Sequence, residues 1–284
     1  MFTILPEFEK QYQQYVELGK EYIADKKIII VGLVRNLQDD LYDNILSIEH
    51  LSKHCPNTHY FIYENDSIDN TPELLKYVKQ KISNFDYRSD ILQLKAFSHI
   101  QTKLELKSTE RTNNLAQHRN LCLDYIRDSK DNYDFVIVMD IDFKQFNLDG
   151  IFNSFGWLSQ DYADAIVGNS FELKKVFEHT NNTSLWNYDC WAYRGSWWED
   201  LQKYSHAYHY DPMMWFGFWQ PPVGSHPIKV NSAFGGTGIY KTKDITSVQY
   251  EGYDCEHVCL HKNLYTKYPN FRLCINPAQI MIFS

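Results

Sequence analysis

The sequence predicts an α/β fold whose sheet is largely parallel and of the type that binds nucleotides, and three observations lead to this prediction. Short runs rich in Val and Ile alternate with segments in which apolar residues recur at helical spacing. The longest apolar run, Lys27–Val34, has the length of a strand and falls well short of the ~20 residues of a membrane-spanning helix. Of 284 residues, 44% are hydrophobic and 16% aromatic, enough for a sizeable buried core.

Composition also restricts the partners and the cellular compartment. A net charge of −8 at pH 7 argues against a nucleic-acid backbone as the main partner. The six cysteines are scattered along the chain, which favours free thiols in a reducing compartment. The start of the chain, Met1–Glu7, lacks the basic and long apolar segments of a signal peptide. We therefore expect a cytoplasmic protein with no membrane span, and a single domain over residues 1–284.

The predicted elements of the first half alternate in the order typical of parallel sheets. An amphipathic helix over Glu7–Ala24 precedes the first strand, Lys27–Val34, and a helix over Leu41–His54 follows that strand. The remaining elements of this half are a strand at His59–Tyr63, a helix over Pro72–Ile82, a short strand and a loop within Asn84–Glu110, a helix over Asn114–Asp128, and a strand at Phe135–Asp140. Such alternation predicts parallel strands joined by helices.

The strand that begins at Phe135 ends in two carboxylates, Asp140 and Asp142, one residue apart. Ligands of open α/β sheets bind at the carboxyl ends of the strands. Both carboxylates can turn onto one ion there, and hard oxygen ligands beside a phosphate suit Mg²⁺ or Mn²⁺ better than Zn²⁺. Taken alone, the pair is also compatible with an Asp140 that caps the next element and a solvated Asp142.

Three segments, taken together, resemble glycosyltransferase family 2. Tyr63–Thr71 is similar to the Asp-Asp-Gly-Ser-Thr-Asp-Asn-Thr segment of that family, and His118–Tyr125 is similar to its Ala-Arg-Asn helix. That helix leads into the Asp-x-Asp strand, here Tyr133–Asp142. The resemblance covers residues 27–143 and implies a GT-A fold, a nucleotide-diphosphate sugar donor and a divalent metal, Mn²⁺ or Mg²⁺. It divides the chain into a nucleotide-sugar-binding half, 27–143, and an acceptor and catalytic half, 144–284.

The resemblance, together with the end of the first strand, also predicts the donor site. The candidate residues are Val34, Arg35, Glu64, Asp66, Arg111, Arg119 and Asp140. Arg35 can pair bidentately with phosphate, or it can be an ordinary surface arginine. Arg119 is implied to contact the diphosphate, but a salt bridge inside the sheet is a serious alternative. For Ser67 and Asp69 we favour turn and capping roles, and Asp66 is open to the same interpretation.

The glycine-rich stretch Phe234–Lys241 resembles the Gly-Gly segment of the same superfamily. In that segment, Gly235 and Gly236 would let the backbone approach the transferred sugar, because glycine has no side chain. A hairpin turn is an equally good interpretation.

About twenty residues later the family carries a Glu-Asp pair that opens a helix. Here Glu256 matches the Glu, and His257 replaces the Asp that usually serves as the base. Glu256 is our first candidate for the general base, with Asp254 and His257 as alternatives, since any of the three can take a proton from an acceptor hydroxyl. On a helix His257 and His261 share a face, and the resemblance makes His261 a candidate third metal ligand.

The second half also contains a cluster of aromatic residues between Trp186 and Trp219. Its members are Trp186, Trp191, Tyr193, Trp197, Trp198, Trp215 and Trp219. Sugars stack on such rings, although we expect most of these to fill the core. Asp189, Trp191 and Arg194 are the candidate acceptor contacts. The pair Glu199-Asp200 in this region is a weaker candidate for the Glu-Asp pair that supplies the base, because it precedes the glycines.

We therefore expect a metal-dependent hexosyltransferase that moves one sugar from a UDP- or GDP-linked donor to a hydroxyl of a glycan or glycoconjugate. The Gln-x-x-Arg-Trp signature of the processive polymerases is absent from the sequence, which favours single-sugar transfer. A sugar-nucleotide nucleotidyltransferase is an alternative, but it usually needs a glycine-rich loop after the first strand, and Leu33–Leu37 has no glycine. An inactive carbohydrate-binding protein would have no need for Asp140, Asp142 and Arg119 together.

Overall fold

The aliphatic run Lys27–Val34 forms the first strand of the main sheet. The computed structural model describes residues 3–94, 109–175, 183–196 and 215–283. The strands in this part of the chain are β1 (Lys27–Val34), β2 (Asn57–Asn65), β3 (Phe85–Asp90), β4 (Phe135–Asp140), β5 (Gln145–Phe146), β6 (Ala165–Val167), β7 (Phe171–Lys175), β8 (Thr183–Asn187), β9 (Arg194–Gly195), β10 (Ile228–Ser232), β11 (Thr237–Lys241), β12 (Leu273–Ile275) and β13 (Met281–Phe283).

The main sheet has the strand order β3-β2-β1-β4-β11-β6-β12-β10-β9. Its first four strands run parallel, as the alternation of strands and helices predicts. Strand β11 lies between β4 and β6 and is antiparallel to both. A second sheet, in the order β5-β13-β7-β8, stands beside it. The carboxyl ends of β1, β2 and β4 therefore meet at one edge of the main sheet.

Helices cover both faces of the main sheet. In the described residues they are α1 (Pro6–Ile23), α2 (Leu41–Glu49), α3 (Thr71–Lys81), α4 (Thr109–Asp128), α5 (Leu148–Ser159), α6 (Thr242–Ile245) and α7 (Glu256–Lys267). Alternate residues of β1 point to opposite faces: Ile28 joins one core with residues of α1, α2 and α5, and Ile29 joins the other with residues of α4 and α7. This arrangement is the mixed α/β fold that the sequence predicts.

Most predicted elements occur within a few residues of their expected bounds. The helix predicted over Leu41–His54 changes to a 3₁₀ turn at His50–Lys53, and β2 is longer than His59–Tyr63 by two residues at each end. The short strand predicted within Asn84–Glu110 is β3, while residues 95–108 lie outside the described part of the chain. No helix among the described residues is long and apolar enough to cross a membrane.

Candidate active site

Asp140 and Asp142 lie where β4 leaves the sheet, between β1 and β11. Asp140 is the last residue of the strand, and its backbone N–H donates to the carbonyl of Gly236 (2.7 Å). Ile141 between them is fully buried, whereas Asp142 is exposed. The side-chain amide of Asn44 donates to the carbonyls of Ile141 and Phe143 (2.7 and 2.8 Å) and so fixes the loop that carries both carboxylates.

Asp140 is held by protein groups on both of its oxygens. The Nη2 of Arg119 donates to Oδ1 (3.1 Å), and the hydroxyl of Tyr188 lies 3.5 Å from Oδ2. The Tyr188 ring is in turn stacked on Phe283, with centroids 3.7 Å apart. Burial raises the pKa of Asp140 above its usual range, and the charge of Arg119 offsets only part of that rise.

Arg119 connects this strand to the start of α7. Its Nε donates to Oε1 of Glu256 (3.1 Å), while the guanidinium carbon lies 5.0 Å from the centre of the Phe234 ring. Arg119 is only 6% exposed, and its Nη1 is buried without a hydrogen-bond partner among the described residues. The structure thus places Arg119 in the internal salt bridge that the sequence left as an alternative to a diphosphate contact.

Glu256 and His257 open helix α7 beside this ion pair. Glu256 is 4% exposed, and its Oε2 has a long contact with the thiol of Cys255 (3.8 Å). The His257 ring stacks on Phe234 with centroids 3.6 Å apart, and its Nε2 lies 3.7 Å from Oε1 of Glu256. Burial lowers the pKa of His257 well below 6.5, so the ring is neutral at physiological pH.

His261 occupies the next turn of α7, inside the core. Its Nδ1 is 2.9 Å from the hydroxyl of Ser232 and its Nε2 is 2.9 Å from that of Tyr240. Burial lowers the pKa of His261 to about 3. Because both ring nitrogens are engaged by protein hydroxyls, the structure does not support His261 as a third metal ligand.

Asp254 and Arg194, predicted as an alternative base and an acceptor contact, are paired with each other. Arg194 Nη2 donates to Oδ2 of Asp254 (3.0 Å), and its Nη1 donates to the carbonyls of Trp191 and Tyr193 (2.7 and 2.8 Å). Arg194 is fully buried, and the side chain of Asp254 is 7% exposed. These contacts hold the loop after Asp189 against the start of α7, which is a structural arrangement.

Asp189 and the two glycines form the turn that faces Asp140. The carboxylate of Asp189 accepts hydrogen bonds from the backbone N–H groups of Ala192 and Gly235, and burial raises its pKa to about 6, with the charge of Glu256 adding to the rise. Gly235 (φ +59°) approaches the carbonyl of Gly168 so closely that a β-carbon would collide with it. Gly236 (φ +75°) faces the Phe283 ring. Both glycines are therefore required by the protein's own packing.

The predicted donor carboxylates are engaged by the loops at the ends of β2 and β3. Glu64 is buried, and it accepts hydrogen bonds from the backbone of Ser67 (2.8 Å) and the hydroxyl of Ser89. Asp66, with φ +53°, accepts from the backbone N–H groups of residues 92–94 at 2.7 to 3.1 Å. These contacts shape the edge of the sheet.

Ser67 and Asp69 join the loops after β1 and β2, and Asp69 also accepts a hydrogen bond from the backbone N–H of Thr71 at the start of α3 (3.0 Å). Their side chains accept from the backbone N–H groups of Asn36 (3.0 Å) and Gln38 (3.2 Å). Asn36 and Gln38 in turn accept from the backbone of residues 68 and 70. The two loops are therefore held in one arrangement by reciprocal hydrogen bonds.

Arg35 differs from five other arginines of the described residues. Arg88, Arg119, Arg127, Arg194 and Arg272 are all paired with carboxylates. Arg35 follows the buried Val34, the end of β1, and no carboxylate or hydrogen-bond partner contacts it in the described part of the structure; its Nε is buried. An arginine without a carboxylate partner is available to an anionic ligand.

His118 lies near Arg35 and was not predicted as a site residue. Its ring centroid is 5.1 Å from that of Tyr63, and the charges of Asp66, Arg35, Asp90 and Arg119 all act on it. Burial lowers its pKa, so the ring is neutral at physiological pH. The signal in the sequence is the first position of the Ala-Arg-Asn segment, where a histidine stands in place of the alanine.

Of the remaining residues singled out in the sequence, Arg111, Trp186 and Trp191 lie in the described part of the chain, and those from 197 to 200 do not. Arg111 is half-buried near the start of α4, and Trp191 is half-buried against the second core. Trp186 packs edge-on against Phe218, with centroids 4.5 Å apart. The rings of Trp197 and Trp198, the pair Glu199-Asp200 and the side chain of Trp215 lie outside the described residues. The rings that are described pack largely against protein, as expected for core.

The structure therefore brings Asp140 and Glu256 onto one guanidinium, that of Arg119, with Asp189 near enough for its charge to act on Asp140. Three carboxylates and one guanidinium leave an excess of negative charge, and the pKa values of Asp140 and Asp189 are raised. Within the described residues no three Asp, Glu, His or Cys side chains are arranged around one metal position. Sequence reasoning missed Tyr188 and Phe234, although each adjoins a predicted residue.

Residues 27–272 match the family model described as cryptococcal mannosyltransferase 1. The fold is similar to GalNAc-T7 with UDP, GalNAc and Mn²⁺ (TM-score 0.54, 9% identity, 99% of this chain and 53% of that chain). It is also similar to mannosyltransferase PcManGT from Pyrobaculum calidifontis in complex with GDP-Man and Mn²⁺ (TM-score 0.50, 9% identity, 97% of this chain and 65% of that chain). A third similar structure is glucosyl-3-phosphoglycerate synthase from Mycobacterium tuberculosis in complex with Mn²⁺, UDP and phosphoglyceric acid (TM-score 0.50, 10% identity, 92% of this chain and 72% of that chain).

These likenesses confirm the GT-A fold that the sequence predicts. The chain spans less than two thirds of the length of GalNAc-T7 and of PcManGT. No curated protein matches the sequence at a significant level.

Proposed function

The chain belongs to the cryptococcal mannosyltransferase 1 family, and from this premise we propose that it is a glycosyltransferase that moves one mannose from a nucleotide-diphosphate donor to a hydroxyl of a glycan or glycoconjugate. The observation that carries the proposal is that Arg119 joins Asp140 to Glu256 at the edge of the main sheet where β4 ends, with Asp142 two residues beyond Asp140. GDP-mannose is the donor we propose first. PcManGT, which has a similar fold, is in complex with GDP-Man.

We propose that Asp140 and Asp142 hold Mn²⁺ or Mg²⁺. A cation of this kind is commonly bound by one or two carboxylates together with phosphates of the substrate, so a pair of ligands is sufficient. Asp140, Asp189 and Glu256 lie near the single guanidinium of Arg119, and this excess of carboxylates fits a site completed by positive charge. When bound, the cation supplies positive charge that stabilises the departing diphosphate.

Arg35 is the donor contact that the geometry supports best. It follows β1 at the carboxyl edge, has no carboxylate partner there, and can bind two phosphate oxygens at once. The reciprocal hydrogen bonds between the loops after β1 and β2, such as that from Asn36 to Ser67, hold this edge in a fixed shape before the donor arrives. A site fixed in advance loses less entropy when it binds its ligand.

We propose that Glu256 receives the proton of the acceptor hydroxyl. Its Oε1 is bound by Arg119, and among the described residues its Oε2 has only the long contact with the thiol of Cys255. Oε2 is therefore the atom we assign to the base. Asp254 is less suitable because it is bound to Arg194, and His257 is less suitable because its ring is stacked on Phe234.

The experiment is an assay of donor turnover with GDP-mannose and a panel of UDP-linked sugars, with Mn²⁺ or with a chelator. We expect Mn²⁺-dependent release of GDP, faster when a mannoside acceptor is added. Conversion of a sugar 1-phosphate and a nucleoside triphosphate to pyrophosphate would instead identify a nucleotidyltransferase. Sugar binding without turnover of any donor would identify an inactive carbohydrate-binding protein.

A further inference from the structure

We propose that Arg119 is a positioning residue that fixes Asp140 and Glu256 relative to each other, and that it does not contact the donor. The inference rests on the proposed function, in which these two carboxylates hold the metal and accept the proton. The guanidinium donates 3.1 Å hydrogen bonds to Asp140 through Nη2 and to Glu256 through Nε. One rigid, planar group therefore sets the distance between the carboxylate that would hold the metal and the carboxylate that would accept the proton.

The surroundings of Arg119 keep it in that position. It projects from α4 with only 6% of its surface exposed, and Phe234 packs against both the guanidinium and the His257 ring. Its strand partner comes from β4 and its helix partner from α7, so three elements converge on one side chain. A buried group held by three elements holds its partners more precisely than one on a mobile loop.

Two observations argue against a contact with the donor: Arg119 is only 6% exposed, and two of its three nitrogens already bind carboxylates. Nη1, the nitrogen that binds neither carboxylate, is buried without a hydrogen-bond partner among the described residues. A small cavity is lined by Arg119 and Tyr250 together with apolar residues of β1, β4 and α4, and the Tyr250 hydroxyl is likewise buried without a partner among those residues. Arg35, in contrast, has no carboxylate partner in the described structure and is free to bind the phosphates.

The central test is Arg119→Lys, which keeps the charge but loses the fork that reaches both carboxylates. We expect the affinity for GDP with Mn²⁺, measured by calorimetry, to stay within about threefold of wild type. We expect kcat to fall by ~10², the loss that follows when catalytic groups shift by about 1 Å. Arg127→Lys is the matched control, since Arg127 lies on the same helix in a surface pair with Asp124.

A double-mutant cycle with Glu256→Gln adds a readout that a merely structural role would not change. Once Glu256 no longer acts as base, Arg119→Lys should reduce the residual turnover by less than threefold. Binding of Mn²⁺ alone, measured by electron paramagnetic resonance, should be as tight in Arg119→Lys as in the wild type. If Arg119→Lys does not fold, the double variant Arg119→Met with Glu256→Gln removes both charges and is used for the two binding measurements.

Two results would overturn the inference. One is a fall of tenfold or more in GDP affinity, whether or not kcat also falls, which would make Arg119 a donor contact. The other is an unchanged kcat in Arg119→Lys. Failure of the proposed function gives a different result, because the wild-type protein would then turn over no donor and Asp142→Ala would bind GDP with Mn²⁺ as well as the wild type does.

Discussion

Arg194 and Asp254 form an ion pair of 3.0 Å that is almost sealed from solvent. Asp254→Asn removes one charged member of a buried pair, so we expect it to lower the free energy of unfolding by ~3–5 kcal/mol. Because the pair is structural, turnover per folded molecule should remain near the wild-type value. Denaturant unfolding and an activity assay on the same preparation test this, with the exposed Glu251→Gln as the control. A fall of 10² or more in turnover would return Asp254 to the list of candidate bases.

Asp142→Ala should remove the thermal stabilisation that Mn²⁺ with GDP gives the wild-type protein. Asp142 is exposed, so its loss affects the ion more than the core. Asp140→Ala should have the same effect, but it also frees Arg119 and so lowers the melting temperature without ligand. The measurement is a thermal melt with and without Mn²⁺ and GDP, with the exposed Asp128→Ala as a control. A wild-type shift in Asp142→Ala would show that the metal lies elsewhere.

Arg35→Ala should weaken the binding of GDP with Mn²⁺ by ~1.5–3 kcal/mol, the range for a hydrogen bond to a charged group. Its stability should change little, because Arg35 has no carboxylate partner in the described structure. Calorimetry gives the affinity, and Lys76→Ala on the exposed side of α3 controls for the loss of one positive charge. Equal affinity in the wild type and Arg35→Ala would place the diphosphate away from the end of β1.

Glu256→Gln should keep the donor affinity while turnover falls by ~10²–10⁴, the usual range for loss of a general base. Glutamine keeps the size of the side chain and one acceptor oxygen for Arg119. Donor binding by calorimetry and turnover should be measured on one preparation. Near-normal turnover would assign the base to another group, or point to a mechanism that retains the configuration of the sugar and needs no such base. The anomeric configuration of the product, measured by NMR, separates those two cases.

His261 should make the protein less stable in acid. Burial lowers its pKa to about 3 in the folded state, against about 6.5 in the unfolded chain, so between these pH values only the unfolded chain binds the proton. Stability therefore falls as the pH drops below about 6.5. Relative to His261→Gln, the wild type should lose ~1.4 kcal/mol more of unfolding free energy per pH unit between pH 6 and 4. Parallel pH profiles for the two proteins would contradict the assignment of a buried, neutral ring.

The fold was accessible from the sequence wherever local patterns determine it. Strand β1 has the predicted bounds because Lys27–Val34 is a continuous aliphatic run, and the helix predicted to begin near Glu256 is α7. Strand β3 was only suggested, since Phe85–Asp90 is a half-exposed edge strand without a clear alternation. The positions of β9, β10 and β12 in the sheet depend on pairing between distant segments, which local patterns do not encode.

In the candidate site, too, local sequence patterns identified residues, whereas contacts between distant segments could not be predicted. Motif spacing led to Asp140, Asp142 and Glu256, but the partner of each side chain could not be derived from spacing. Arg119 and Glu256 are 137 residues apart in the chain, and Arg194 and Asp254 are 60 apart. Histidine at 261 has a helical spacing from His257 that suits a ligand pair, yet the hydroxyls of Ser232 and Tyr240 engage its ring. Partner choice is set by the tertiary structure, and it decides whether a polar residue serves the core or the ligand.

The antiparallel strand β11 has a consequence for synthesis of the protein. It covers the edge of β4, the strand that carries Asp140, but it follows β4 by about a hundred residues in the chain. A nascent chain that has emerged only as far as β4 therefore presents an aliphatic strand with one unpaired edge, a template for association with other chains. Pairing across so long a separation also slows folding. The donor half is therefore expected to depend on chaperones until residues 237–241 leave the ribosome.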